Sequence, residues 1–342
     1  MKLFSDRTSY RCLLWGTAAA LCLLTLLAFC IGRYWVPPLE VLKALFSWLL
    51  PVSVKDPNGI NVVISLRLPR VFAALLIGAA LSLSGASYQA VFRNPLVAPD
   101  LLGVSSGACA GASLAILFDA PMSVVQTAAF AGGLAAVALT LSIPRRLHRN
   151  EATMLLLGGI IVAGVLNSLI GLIKYLANPE THLVEITYWQ LGSISRILPK
   201  DVSSTAPVII IAGAVLMALR WRISILSLGE NEARMLGVPV RQIRLAVIIC
   251  ATLLTACSVC IGGTIGWVGL VIPHLGRLIT GPDNARLFPV TAMLGGGFLL
   301  FVDTIARSLS GAELPLSILT GLIGASVFFY LLCRSRSQFQ RL

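Results

Sequence analysis

Gly103-Val104-Ser105-Ser106-Gly107 fits G-x-S-x-G, the turn that presents an acyl-transfer serine. Such a serine needs a base to take its proton. The chain has three histidines, His148, His182 and His274, and only His274 lies near an apolar stretch. The serine turn also requires a strand before it and a helix after it, whereas here the match opens an apolar helical run. Small residues packing one helix on another explain the pattern better than hydrolysis does, which leaves an intramembrane serine protease as the minor reading.

Other reactive residues are equally quiet. Cys257-Ser258-Val259-Cys260 fits C-x-x-C, but no second pair stands at zinc spacing. Nearly all eight cysteines fall in apolar runs, which reads as packing and not as a disulfide framework or a metal site. None of the five lysines completes G-x-x-x-x-G-K. No cofactor is therefore expected on this chain, and any ATP that drives it is bound by another chain. Asp303 is the one carboxylate well inside an apolar stretch, where a charge is costly unless paired or functional. Arg307 follows one helical turn later, so the sequence pairs Asp303 with Arg307 as a structural ion pair. A proton relay would want further acids along the path. Their absence from the apolar stretches weighs against a secondary ion-coupled transporter, which stays as the second reading. Arg67 and Arg70 flank Pro69 at the start of another stretch, placed either to anchor at an interface or to receive carboxylates of an external protein.

These residues must be held by membrane helices. Of 342 residues 57% are hydrophobic and 12% charged, and the mean hydropathy is +0.90. Soluble domains carry about 25% charged residues, so the solvent for most of this chain is lipid. The net charge of +12 sits in short clusters between apolar runs, which marks topology and excludes a nucleic-acid footprint. A spanning helix needs about 20 apolar residues. On that basis ten segments emerge: Leu13–Ile31, Val71–Val91, Leu101–Leu117, Val124–Ile143, Thr153–Ile173, Val202–Leu219, Leu245–Ile265, the short Val268–Ile279 with its Pro273, Phe288–Ile305 and Leu314–Cys333. The first is too long for the core of a cleaved signal peptide. With the N-terminus in the cytoplasm, 17 of the 26 Lys and Arg fall on the inner side, Arg145, Arg146, Arg149, Arg334 and Arg336 among them. Both termini are then cytoplasmic. Gly78 with Gly85, Gly107 with Gly111, and Gly295 to Gly297 mark close helix contacts.

Two connections are long. Arg33 to Leu66 is read as outside, with an interfacial helix from Pro37 to Leu50 that presents Val41, Leu42, Leu45 and Leu49. Arg220 to Arg244 is read as inside. There Ser227 is placed to cap a short helix that stops at Gly237, before Pro239.

Several motifs in fixed order resemble one family. They are Arg67-Leu68-Pro69-Arg70, Gly78-Ala79-Ala80-Leu81, Asn94-Pro95-Leu96-Val97-Ala98-Pro99-Asp100, Leu228-Gly229-Glu230 with Ala233-Arg234 and Leu236-Gly237, Gly266-Trp267-Val268-Gly269-Leu270-Val271-Ile272-Pro273-His274, Asp303 to Arg307, and Glu313-Leu314-Pro315. From Arg67 onward the chain resembles the FecCD-type permeases of iron-siderophore, haem and vitamin B12 ABC importers. The resemblance implies an all-α, ten-helix bundle of the type II ABC importer kind in the inner membrane, as one domain over 1–342. It implies a second permease subunit, identical or paralogous, and two cytoplasmic ATPase subunits docked on Leu228, Gly229, Glu230, Ala233, Arg234, Leu236 and Gly237. It implies a periplasmic substrate-binding protein whose acids meet Arg67, Arg70 and Arg307. It also implies a gate near Asn150, Glu151 and Thr153. The path is expected along the fifth segment, past Gly158, Gly159, Gly164, Asn167 and Ser168.

Overall fold

The computed structural model describes residues 7–46, 57–146, 152–309 and 313–339, and every regular element among them is helical. The order is α1 (Arg7–Cys30), α2 (Pro38–Phe46), α3 (Pro57–Asn61) and a π-helical stretch (Val62–Arg67) that runs into α4 (Leu68–Val91). A 3-10 turn (Pro99–Leu102) precedes α5 (Val104–Leu117), α6 (Met122–Arg146), α7 (Ala152–Leu176), α8 (His182–Leu191) and α9 (Pro199–Leu228). There follow α10 (Glu230–Met235), α11 (Val240–Gly262), α12 (Val268–Thr280), α13 (Asn284–Leu309) and α14 (Leu316–Phe339).

Among the described residues seven helical stretches are long and apolar enough to cross a membrane: Thr8–Cys30, Gly59–Val91, Met122–Pro144, Thr153–Leu176, Pro199–Leu228, Val240–Gly262 and Asn284–Leu309. Val104–Leu117, Val268–Thr280 and Leu316–Leu331 are shorter apolar helices at the other three expected segments. The 13 residues of α12 rise only about 20 Å, short of a hydrocarbon core of about 30 Å.

The bundle is built around α4 and α11. α4 packs on α13, α11, α9 and α12, and α11 also packs on α9 and α6. Without a hydrophobic drive between helices in lipid, close backbone approach must supply the packing. A Cβ on Gly78 would overlap the Gly295 carbonyl, and one on Gly85 the Gly269 carbonyl. Gly107 meets Gly132 and Gly111 meets Ala128 in the same way, so the small-residue positions are helix contacts. Buried hydroxyls add polar ties between α4 and α11. Ser84 Oγ donates to the Ala251 carbonyl at 3.0 Å, and the Tyr88 hydroxyl lies 3.1 Å from Thr252 Oγ1.

Some element boundaries differ from the sequence reading. The second span starts well before Val71, because the helical run includes Arg67 and Arg70. Their charges are met inside the fold, so they do not end the helix. The expected inner connection is also mostly helix: α9 continues to Leu228 because Ile223, Ile225 and Leu226 are buried against the bundle. α8 was not anticipated. Its signal is Leu183, Ile186 and Trp189, apolar at helical spacing between Pro179 and Gly192. α2 lies within the expected interfacial helix, with Val41 and Ala44 inward and Leu39, Leu42 and Phe46 exposed, while Leu49 is outside the described residues.

Candidate functional site

Arg67, Arg70 and Arg307 come together where the end of α1, the start of α4, the end of α13 and the approach to α14 meet. Arg70 Nε donates to both oxygens of Asp303 at 2.9 and 3.0 Å, and its Nη2 lies 2.8 Å from Oδ1. Arg70 Nη1 donates to both oxygens of Glu313 at 2.8 and 2.9 Å. Asp303 is fully buried, whereas the Glu313 side chain is 31% exposed. Arg67 donates to the carbonyls of Phe29, Cys30 and Tyr34, and Arg307 to the carbonyl of Ala28. The last carbonyls of a helix lack donors within it. Arg67, from the π-helical stretch before α4, and Arg307, from α13, therefore cap α1 across the fold, where its dipole favours positive charge.

This geometry corrects one expectation, the ion pair of Asp303. The ion partner of Asp303 is Arg70, 233 residues away, and not Arg307 one turn on. Arg307 instead turns toward α1. The three arginines assigned to an external partner's acids are buried, and each finds its partners within this chain. Glu313, the second carboxylate on Arg70, escaped the sequence reading as a site residue, since nothing in its local spacing points to α4.

α10 closes the opposite end of the bundle, between the end of α9 and the start of α11. Gly229 at its start has φ 155 and ψ 156, a conformation closed to side chains with a Cβ. At its end the Val238 N–H donates to the Ala233 carbonyl at 2.9 Å, and Gly237 takes φ 74, a left-handed stop. Ser227 does not cap this helix, because its hydroxyl donates back to the Ser224 carbonyl at 2.7 Å. Ala233 is buried against the bundle, while Leu228, Met235 and Leu236 face outward, Met235 at 87% exposure. Glu230 pairs with Arg244 of α11 and lies 3.6 Å from Arg234. α10 thus presents an apolar knob held by a charged brace.

α7 carries the expected path residues. Asn167 and Ser168 are exposed beside Ile161, Val165 and Leu172, and among the described residues nothing lies within 4 Å of a Cβ added at Gly164 or Gly171. Gly158 and Gly159 point the other way, Gly159 against the Leu101 carbonyl. Thr153 is exposed in the first turn of α7, and Asn150 and Glu151 lie outside the described residues. Ser105 donates its hydroxyl to Asp100, and the glycines of the G-x-S-x-G match serve helix contact and a left-handed turn at Gly103 (φ 82). Cys257 and Cys260 are buried, and Cys260 Sγ donates to the Cys257 carbonyl at 3.2 Å.

A sequence profile of the FecCD transport family matches residues 20–334. The chain belongs to the FecCD transport family. It is 37% identical over 320 residues to the molybdate import system permease protein MolB of Haemophilus influenzae, covering 94% of this chain and 95% of that protein. It is 37% identical over 288 residues to the cobalamin import system permease protein BtuC of Halobacterium salinarum, covering 84% of this chain and 77% of that protein. A solved structure described as a metal-chelate type ABC transporter in an inward-facing conformation superposes with a TM-score of 0.85 at 37% identity. The match covers 94% of this chain and 99% of that one. With its apolar spans, the chain is a multi-pass membrane protein of this family. Molybdate lies outside the cargo classes expected from the sequence. It differs from cobalamin so widely in size and charge that family membership does not choose the cargo.

Proposed function

We propose that this chain is the permease subunit of an ATP-driven importer that carries an organic metal chelate, of the iron-siderophore, haem or cobalamin kind, across the inner membrane. The observation that carries the reading is the near full-length agreement in fold and sequence with the metal-chelate type ABC transporter. In this reading the ten apolar helices all serve as spans and both termini are cytoplasmic. A second permease subunit packs against the open face of α7, where Gly164 and Gly171 leave room for another chain or for cargo. Two ATPase subunits grip the Leu228, Met235 and Leu236 knob on α10, and their closure pushes on α9 and α11, the helices it joins. A periplasmic binding protein delivers cargo at the far end. The wall past Asn167 and Ser168 is mostly small or apolar and would hold cargo weakly, as a conducting path requires.

The test is co-purification of the chain with its associated ATPase and binding protein, followed by mass analysis of the ligand on the binding protein and ATP-driven uptake of that ligand into liposomes. Uptake that needs ATP and the binding protein is expected. Uptake driven by an ion gradient alone would overturn the reading in favour of a secondary carrier.

A further inference from the structure

At the end of the bundle remote from α10 lies an open cavity of about 700 Å³. It is bounded by the start of α6, α8, the segment that follows α8, the first turn of α9, the end of α11 and Glu313. Pockets of about 300–1,000 Å³ take drug-sized organic ligands, and a single tetrahedral oxyanion would leave this one mostly empty. Tyr188 and Trp189 supply flat apolar wall. The charged groups around it are unequal in what they offer. Asp201 already accepts the Leu198 N–H at 2.9 Å, and Glu313 is held by Arg70. Arg196, Lys200 and Glu185 face the space with no side-chain partner among the described residues. Behind Glu313 three guanidiniums, Arg67, Arg70 and Arg307, stand against two carboxylates, Asp303 and Glu313. The cluster behind the wall therefore carries a surplus positive charge.

Glu313 joins this cavity to the packing of α14. Among the described residues α14 packs mainly on α13, α12 and α8. Its leading end is fastened by three links: Arg70 to Glu313, the Leu316 N–H to the Gly192 carbonyl at 3.0 Å, and the Ser317 hydroxyl to the Thr264 carbonyl at 2.9 Å. Gly192 also lines the cavity. Of the two carboxylates on Arg70, Asp303 is sealed and Glu313 is open to the cavity.

We propose that the cavity is a subsite for a carboxylate-bearing organic ligand, and that Glu313 is the resident carboxylate such a ligand displaces from Arg70. Asp303 keeps Arg70 in place during the exchange, while Arg196 and Lys200 hold the rest of the ligand's negative charge. Release of Glu313 removes one of the three fastenings of α14, so occupancy of the cavity loosens that helix. The inference relies on the importer reading only for the side from which the ligand arrives.

Thr320, fully buried in the second turn of α14, reports the loosening. The full chain bearing Thr320→Cys, in lipid nanodiscs, is treated with N-ethylmaleimide, and modification at position 320 is followed by peptide mass spectrometry. Excess ferric dicitrate, a carboxylate chelate, should speed modification about fivefold or more, as loss of one partly exposed ion pair allows. Adding Glu313→Gln should give the fast rate without ferric dicitrate and abolish the response to it. Arg196→Glu with Lys200→Glu should leave the slow rate and remove the response. An unchanged rate in Glu313→Gln overturns the proposal, as does equal acceleration by cyanocobalamin or by molybdate. ATP-driven uptake by the wild-type assembly, measured separately, decides the importer reading whatever the alkylation shows.

Discussion

Asp303 keeps a charge in a water-poor interior because Arg70 reaches it with Nε and Nη2 together. Removing one member of such a pair strands the other, which costs about 3–5 kcal/mol, while removing both costs far less. Arg70→Leu should therefore lower the thermal midpoint of the purified chain sharply, and Arg70→Leu with Asp303→Leu should recover most of the loss. Burial of Arg67 and Arg70 also changes what charge reversal will do. Arg67→Glu with Arg70→Glu sets two carboxylates beside Asp303 and the carbonyl end of α1, so the chain should fail to assemble, read as loss of its monodisperse peak in size-exclusion chromatography. Ser106→Ala, and Ser105→Ala, which loses one hydrogen bond to Asp100 at a cost of about 1 kcal/mol, should both keep uptake within about twofold.

Elements differ in what they tolerate. The face of α4 at Gly85 lies against the Gly269 backbone, so Gly85→Val must push two helices apart. Overpacking of that kind costs about 1–3 kcal/mol or more, and the folded yield should drop. A Cβ added at Gly164, as in Gly164→Val, meets nothing among the described residues. The variant should fold like the wild type and lose uptake, because the side chain enters the proposed path or subunit contact. A matched pair of melting curves and uptake assays separates the two. On α10, Leu236→Asp touches an exposed position. The melting midpoint should hold, while uptake falls about tenfold and ATP hydrolysis continues. That fall corresponds to about 1.4 kcal/mol lost from an interface knob.

For the whole molecule the apolar balance demands lipid, and the cationic connections orient the chain in it. A protease site appended to the C-terminus should be cut only in inverted vesicles. Cutting in intact spheroplasts would reverse the topology and move α10 away from any cytoplasmic ATPase. The bundle has two ends of different chemistry, α10 at one and the arginine cluster with its cavity at the other. α9 and α11 run the full distance between them. α9 alone, at 30 residues, spans about 45 Å, so in the proposed importer a push at α10 would be carried to the far end along this helix.

Local pattern carried much of this into the primary sequence. Apolar run length placed the helices, glycines at four- and seven-residue spacing marked the α5–α6 and α4 contacts, and Gly237 before Pro239 marked the stop of α10. The motif order from Arg67 to Glu313 pointed to the family. The partner of Asp303 was beyond such reading, because a helix turn offers Arg307 as the nearest cation and only the packing of α4 on α13 brings Arg70 closer. The capping of α1 by Arg67 and Arg307, the second hold of Arg70 on Glu313 and the cavity beside it all join residues far apart in the chain. Periodicity and propensity act over a few residues, whereas these contacts exist only once helices from distant segments pack, so the tertiary structure alone decided them.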